Sequence, residues 1–186
     1  MPRVTLVGYR GTGKSTVAAL LAGRLGCAWL DADAALEERL GTTIAALVRE
    51  RGEPAFRDAE ETLLRELLDS CAGVLATGGG VVLRPVNREA LRSRGRPVAW
   101  LTAPADVIRG RLAADPLTRD RRPALSAGAA AAGDPLAEVD AALASREALY
   151  REVADAVFDT AAEPPERVAG RIASWLASGQ HAGGRP

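Results

Sequence analysis

Short apolar or β-rich runs recur along the chain and stop at Gly, Asp, Thr or Pro: RVTLV (3–7), AWLD (28–31), GVLAT (73–77), PVAWLT (97–102) and DAVFDT (155–160). They read as five strands. Between them the apolar positions switch to a helical period. Val17, Leu20, Leu21 and Leu25 mark a helix over 14–25, and Phe56, Leu63, Leu64, Leu67 and Leu68 mark one over 54–70. Further helices are expected over 85–94, 104–114, 134–152 and from about Pro165 to Ala177. Strands alternating with helices of ten or more residues are βαβ units, so the pattern predicts an α/β fold: a mostly parallel sheet with helices on both faces and ligands beyond the strands' C-terminal ends. Two segments lack apolar period. Residues 114–135, rich in Pro, Arg, Gly and Ala, have no apolar period to pin them to the core and are expected to be mobile, and 179–186, which holds the only histidine, a frayed tail. One domain over 1–178 is the expectation, since 186 residues leave no room for a second independent core.

Composition narrows the function classes. Apolar residues at 47% and charged residues at 26% describe a globular protein able to bury a core. The 24 basic residues balance 24 acidic ones, which argues against nucleic acid or an anionic membrane as partner. No apolar run approaches the length of a signal h-region or a membrane span, so a cytoplasmic location is expected. Cys27 and Cys71 form no CxxC and read as free thiols. Of the 24 basic residues 23 are arginine; the one lysine is Lys14.

That lysine lies in GYRGTGKST, where Gly8, Gly11, Gly13, Lys14 and Ser15 fit G-x-x-x-x-G-K-[ST] between a predicted strand and a predicted helix. Glycines let successive N–H groups and the helix N-terminus face a polyphosphate, and the Ser15 hydroxyl suits Mg²⁺. A compact ammonium on a flexible stem can lie along such a loop and meet phosphate oxygens where a planar guanidinium would clash. A P-loop specifies a nucleotide but not a reaction. With no other lysine the guanine-reading N-K-x-D motif is absent, which argues against a regulatory GTPase.

The other strand ends carry further polar groups. Asp31 and Asp33 follow the second strand, where a carboxylate can reach a Mg²⁺ water or take a proton from a hydroxyl; Asp33 also suits an N-cap over AALEERL. Arg57 and Glu60, three apart on one face of a helix, read on their own as a solvated ion pair. TGGGVV (77–82) offers Gly78, Gly79 and Gly80 either for close approach to a ligand or for a tight turn. Arg122 in RRPAL and Arg146 in SREALY are, singly, no different from other arginines.

In this order GYRGTGKST, DADAAL, GEPAFRDAE, ATGGGVV, RRPAL and REALY resemble the successive motifs of the shikimate kinase family, over about residues 4–176. The resemblance implies a nucleoside-monophosphate-kinase type of fold with a five-stranded parallel sheet of order 2-3-1-4-5, and Mg²⁺- and ATP-dependent phosphorylation of the shikimate 3-hydroxyl on the route to chorismate. It implies that Gly11, Thr12, Gly13, Lys14, Ser15 and Thr16 hold the phosphates, with Ser15 and Asp31 serving the metal. Asp33 would hold the substrate hydroxyls and help deprotonate the nucleophile, Arg57 and Arg146 would grip the carboxylate, and Gly79 with its neighbours would contact the ring. Arg111 would lie near the adenine and Arg122 would reach the phosphates from a mobile lid at about 114–135. Shikimate and ATP are thus the expected partners and a monomer the expected state. The lid departs from the usual R-P-L-L run, which leaves Arg121 or Arg122 as the phosphate contact, Arg122 being preferred because it precedes Pro123. A gluconate or nucleoside monophosphate kinase of the same fold, or a nucleotide-binding module without chemistry, are the alternatives.

Overall fold

The computed structural model describes residues 1–114 and 139–179, so Arg121, Arg122, most of the expected lid and the end of the tail lie outside the described residues. All five expected strands form: β1 (Val4–Val7), β2 (Trp29–Asp31), β3 (Val74–Ala76), β4 (Val98–Thr102) and β5 (Ala156–Asp159). They pair in parallel in the order β2-β3-β1-β4-β5, the order that the family resemblance implies.

Side-chain alternation along the strands divides the core. Val4, Leu6, Val74, Ala76, Ala99, Leu101 and Phe158 pack with Val17, Leu21, Val168 and Ile172, from α1 (Lys14–Leu25) and α7 (Pro165–Ala177). Val7, Leu75, Val98 and Trp100 pack on the opposite face with α2 (Ala32–Leu40), α3 (Ile44–Ser70), α4 (Pro85–Arg94) and α6 (Val139–Val153). The period-2 pattern of a sheet buried on both faces accounts for these two layers. Complete burial of side chains such as Leu6, Leu68 and Ile172 contributes about 1.5–3 kcal/mol each. Helix α5 (Ala105–Ala114) sets Ile108 and Leu112 under the loop after β1.

Three local features differ from the sequence reading. Residues 32–40 form a helix of their own. The expected helix over 54–70 begins at Ile44 and bends at Gly52, whose φ of 82° and ψ of 165° break the helical path just before Pro54. The cap of α2 is Asp31, whose Oδ1 accepts from the N–H groups of Asp33 at 2.9 Å and Ala34 at 3.3 Å, so Asp33 is not the N-cap. Helix 134–152 is described from Val139 onward and ends at Val153. Both cysteines are free thiols.

Candidate active site

Parallel strands deliver their C-terminal ends to one side of the sheet, and the in-register pairs Asp31↔Ala76 and Leu6↔Ala76 bring Asp31, Ala76 and Leu6 to the same level, with Val7 and Thr77 one residue further on. The loop after β1 must turn sharply there. A Cβ on Gly8 would sit 2.2 Å from the Leu101 carbonyl oxygen, and Gly13 caps α1 in the left-handed region at φ 84°. Because a glycine occupies the cap, no side chain satisfies the first N–H groups of α1, and its first turn carries no acid. An uncapped helix N-terminus of this kind favours an anion.

Lys14 is buried and folds back along the loop, donating from Nζ to Gly8 O at 2.8 Å and Tyr9 O at 3.0 Å. Ser15 and Thr16 stand exposed beside it. Thr12 behaves differently: its side chain is buried and its hydroxyl donates to Tyr9 O at 2.7 Å, so it staples the loop. Arg111 reaches across from α5 to donate to Gly11 O at 3.3 Å and to the Thr160 Oγ1 at 3.0 Å and carbonyl at 2.5 Å, tying the loop to the segment after β5.

Ser15 donates its hydroxyl to Asp31 Oδ2 at 2.5 Å. Two hard oxygen donors side by side at the helix start suit Mg²⁺, which takes one or two protein ligands and completes its shell with waters and phosphate oxygens. Among the described residues no cluster of three or more His, Cys, Asp or Glu is arranged for a metal, so an ion here would need those outside ligands.

The second half of the cleft is assembled from distant elements. Arg57 on α3 is 6% exposed, and it donates from Nε and Nη2 to Glu53 Oε1 at 3.1 and 3.0 Å and from Nη1 to Glu60 Oε2 at 2.8 Å. The Arg57–Glu60 pair is therefore buried rather than solvated. The guanidinium also stacks over Phe56, 4.6 Å from the ring centroid. These bonds leave one N–H on each terminal nitrogen for another acceptor.

The Gly78–Gly80 turn explains its own composition. A Cβ at Gly78 would meet Asp33 Oδ1 at 2.6 Å and Glu60 Oε1 at 2.8 Å, and a Cβ at Gly80 would meet Arg57 Nη1 at 2.3 Å. None of the three glycines has a positive φ. Glycine is required here because two carboxylates and a guanidinium occupy the space a side chain would need. Burial pushes the Glu60 carboxyl above its ordinary value of 4.5, Arg57 opposes the rise and Asp33 adds to it. Glu60 Oε1 has no hydrogen-bond partner among the described residues.

Arg146, half-buried on α6, stacks over the Tyr9 ring with 5.4 Å between its Cζ and the centroid. One turn on, Tyr150 is 1% exposed and donates to Gly79 O at 2.5 Å. Burial raises the Tyr150 pKa and the positive charge of Arg146 opposes the rise. The structure thus brings Asp33 and Arg57 together at Gly78–Gly80, sets Gly79 beside the loop after β1, stacks Arg146 on Tyr9 of that loop and joins Ser15 to Asp31. Sequence reasoning passed over Glu53 and Tyr150, although the spacings 53/57 and 146/150 are both i,i+4, a signal for neighbours on one helical face.

The family model described as shikimate kinase matches residues 10–177. Shikimate kinases of Oleidesulfovibrio alaskensis and Pseudomonas syringae pv. tomato are each 42% identical over 178 residues; the first alignment covers 96% of this chain and 99% of the relative, the second 95% and 97%. The solved structure of a shikimate kinase from Acinetobacter baumannii in complex with shikimate superposes with a TM-score of 0.83 at 35% identity, covering 94% of this chain and 92% of that one. With its sheet order, its phosphate loop and its full-length likeness, the chain belongs to the shikimate kinase family.

Proposed function

We propose that the protein transfers the γ-phosphoryl group of ATP to the 3-hydroxyl of shikimate, giving shikimate 3-phosphate and ADP. The observation that carries this reading is the meeting of the Asp33 carboxylate and the Arg57 guanidinium at Gly78–Gly80, beside the phosphate loop. A small polyhydroxylated acid offers hydroxyls to a carboxylate and its own carboxylate to guanidinium forks.

The loop from Gly11, Thr12 and Gly13 into the start of α1, through Thr16, holds the polyphosphate, and Lys14 swings its Nζ from Gly8 O and Tyr9 O toward the β- and γ-phosphate oxygens. Arg111 borders the adenine side. Ser15 and Asp31 would hold Mg²⁺, whose chemistry when bound is to neutralise charge on those oxygens. Arg57 and Arg146 grip the substrate carboxylate and the glycine turn contacts the ring. Asp33 accepts the proton of the 3-hydroxyl as its oxygen bonds to the γ-phosphorus and the bond from that phosphorus to the ADP oxygen breaks. Arg122, from the segment outside the described residues, adds positive charge to the transferring group. Phosphoryl transfer depends on positioning and electrostatics more than on covalent chemistry, and this site supplies both.

The test is ADP release by the purified protein with Mg-ATP over a panel of shikimate, gluconate and nucleoside monophosphates. Turnover stimulated by shikimate alone is expected. Stimulation by another acceptor instead would replace the substrate, and none by any acceptor would leave a binding module.

A further inference from the structure

We propose that a cavity between the sheet and α6, outside the substrate cleft, binds a small flat aromatic carboxylate. The cavity measures about 350 Å³, within the size range of small-molecule sites. Strand alternation creates it. Ala156 and Phe158 of β5 turn toward α7, so Val157 faces the side of α6, where it stays 45% exposed at the sheet edge. The lining comes from Trp100 and Val157 of the sheet, Leu143 and Tyr150 of α6, Pro104 ahead of α5 and Tyr9 of the P-loop. Asp33, Arg57, Gly78–Gly80 and Arg146 do not line it.

The lining sets the ligand's chemistry. Trp100 and Tyr150 are stacked, centroids 5.7 Å apart and planes 20° apart, and present aromatic surface that a flat ring matches. The hydroxyls in the lining donate elsewhere, Tyr150 to Gly79 O at 2.5 Å and Thr12 to Tyr9 O at 2.7 Å, so the interior suits apolar atoms. Charge stands on α6. Arg151 donates to Glu147 at 3.0 Å, and the two side chains are 65% and 59% exposed, a solvated pair that holds its partners weakly. The Arg151 Cζ lies 5.5 Å from the Trp100 centroid, and its guanidinium has further N–H groups for a second carboxylate. Arg10 and Arg146 add positive charge against the Tyr9 ring, at 5.7 and 5.4 Å. Glu147 is the one carboxylate among the described lining residues. Three guanidiniums against one carboxylate select an anion, with the ring on Trp100, Tyr150 and Val157 and the carboxylate on Arg151.

The probe is 2-naphthoate, titrated calorimetrically into the full chain with Mg-ADP and shikimate both saturating. One-to-one binding with a Kd of about 0.1–1 mM is expected for a ligand of this size. The cation 2-naphthylmethylammonium, with the same rings and the opposite charge, should bind about tenfold more weakly or worse. Val157→Trp fills the cavity from the sheet edge and should abolish binding of 2-naphthoate. Arg151→Gln changes an exposed side chain, so the fold is spared, and it should weaken binding about tenfold; it keeps the proposal testable should Val157→Trp not accumulate. No binding to wild type, an unchanged Kd in Arg151→Gln or in folded Val157→Trp, or equal affinity for the cation would overturn the proposal. So would displacement of the probe by shikimate, which would place it on the substrate-binding arginines instead. The variants report on the cavity without turnover, so a failure of the shikimate reading would show as absent turnover with probe binding intact.

Discussion

Residues 8–16 form the P-loop from one contiguous stretch, and its proposed working parts are main-chain N–H groups and one ammonium. The proposed acceptor side instead takes Asp33 from α2, Arg57 and Glu60 from α3, Gly78–Gly80 from the turn after β3, and Arg146 from α6. One half is encoded locally and the other by topology. The acceptor half is a set of mutually filled spaces in which each group constrains the next.

Substitutions that leave the loop intact but remove chemistry at the junction should have the largest effects. Asp33→Asn is expected to lower kcat by about 10²–10⁴-fold with little change in ATP affinity, as for a positioned base. Arg122→Ala should lower kcat by about 10³-fold for the same junction, since its charge acts on the transferring group. Single-turnover kinetics with equilibrium ATP titration separates these from a binding defect. If Arg122→Ala stays within a few-fold of wild type while Arg121→Ala is inactive, the contact moves by one residue.

The acceptor half alone is tested by Arg57→Ala. A charge-assisted hydrogen bond to a carboxylate is worth about 1.5–3 kcal/mol, so the shikimate KM should rise about ten- to a hundred-fold while ATP affinity holds. Equal loss of ATP binding would mean that Arg57 serves the fold instead. Gly80→Ala sharpens this further. Its methyl would enter the space of Arg57 Nη1, and because a guanidinium is the far end of a flexible side chain, the protein should fold with Arg57 displaced and reproduce part of the Arg57→Ala rise in KM. A wild-type KM would show that Arg57 is not where the substrate needs it.

The division between local and topological encoding also explains what the sequence disclosed. The five strands are legible because each is an apolar run ended by a breaker, and the P-loop because its context is strand, turn and helix. Helix α2 is hard to read because among its nine residues only Asp33 and Leu36 are buried, too few to set a period. The first half of α3 is hidden because Gly52 and Pro54 read as the end of one element and the start of another. Asp31 rather than Asp33 caps the helix because either could stand at its start by spacing, and only the backbone path decides. Glu60 looked like a surface pair partner because sequence shows the i,i+3 spacing but not the glycine turn that seals it. The ordered resemblance was needed to bring Arg146 into the site, since one arginine among 23 carries no local mark.

The smallest expected effect concerns Glu60. Burial raises its folded pKa above the ordinary 4.5, so folding favours the protonated form, and stability is lost as pH rises from that value through the raised one. Glu60→Gln keeps an acceptor for Arg57 and cannot ionise. Its Tm should therefore fall less than that of wild type between pH 5 and pH 8, and each 1 kcal/mol of difference corresponds to about 2–4 °C. Parallel Tm profiles would contradict the direction of the shift.

The separation of the two halves is tested most directly by labelling the only lysine. An amine-selective reagent can modify Lys14 and the amino terminus, and peptide mapping reads each independently. Mg-ATP should protect Lys14 strongly, in wild type and in Arg57→Ala alike, whereas shikimate alone should leave its labelling unchanged. Equal labelling with and without saturating Mg-ATP, or protection by shikimate alone as strong as that by Mg-ATP, would contradict the account.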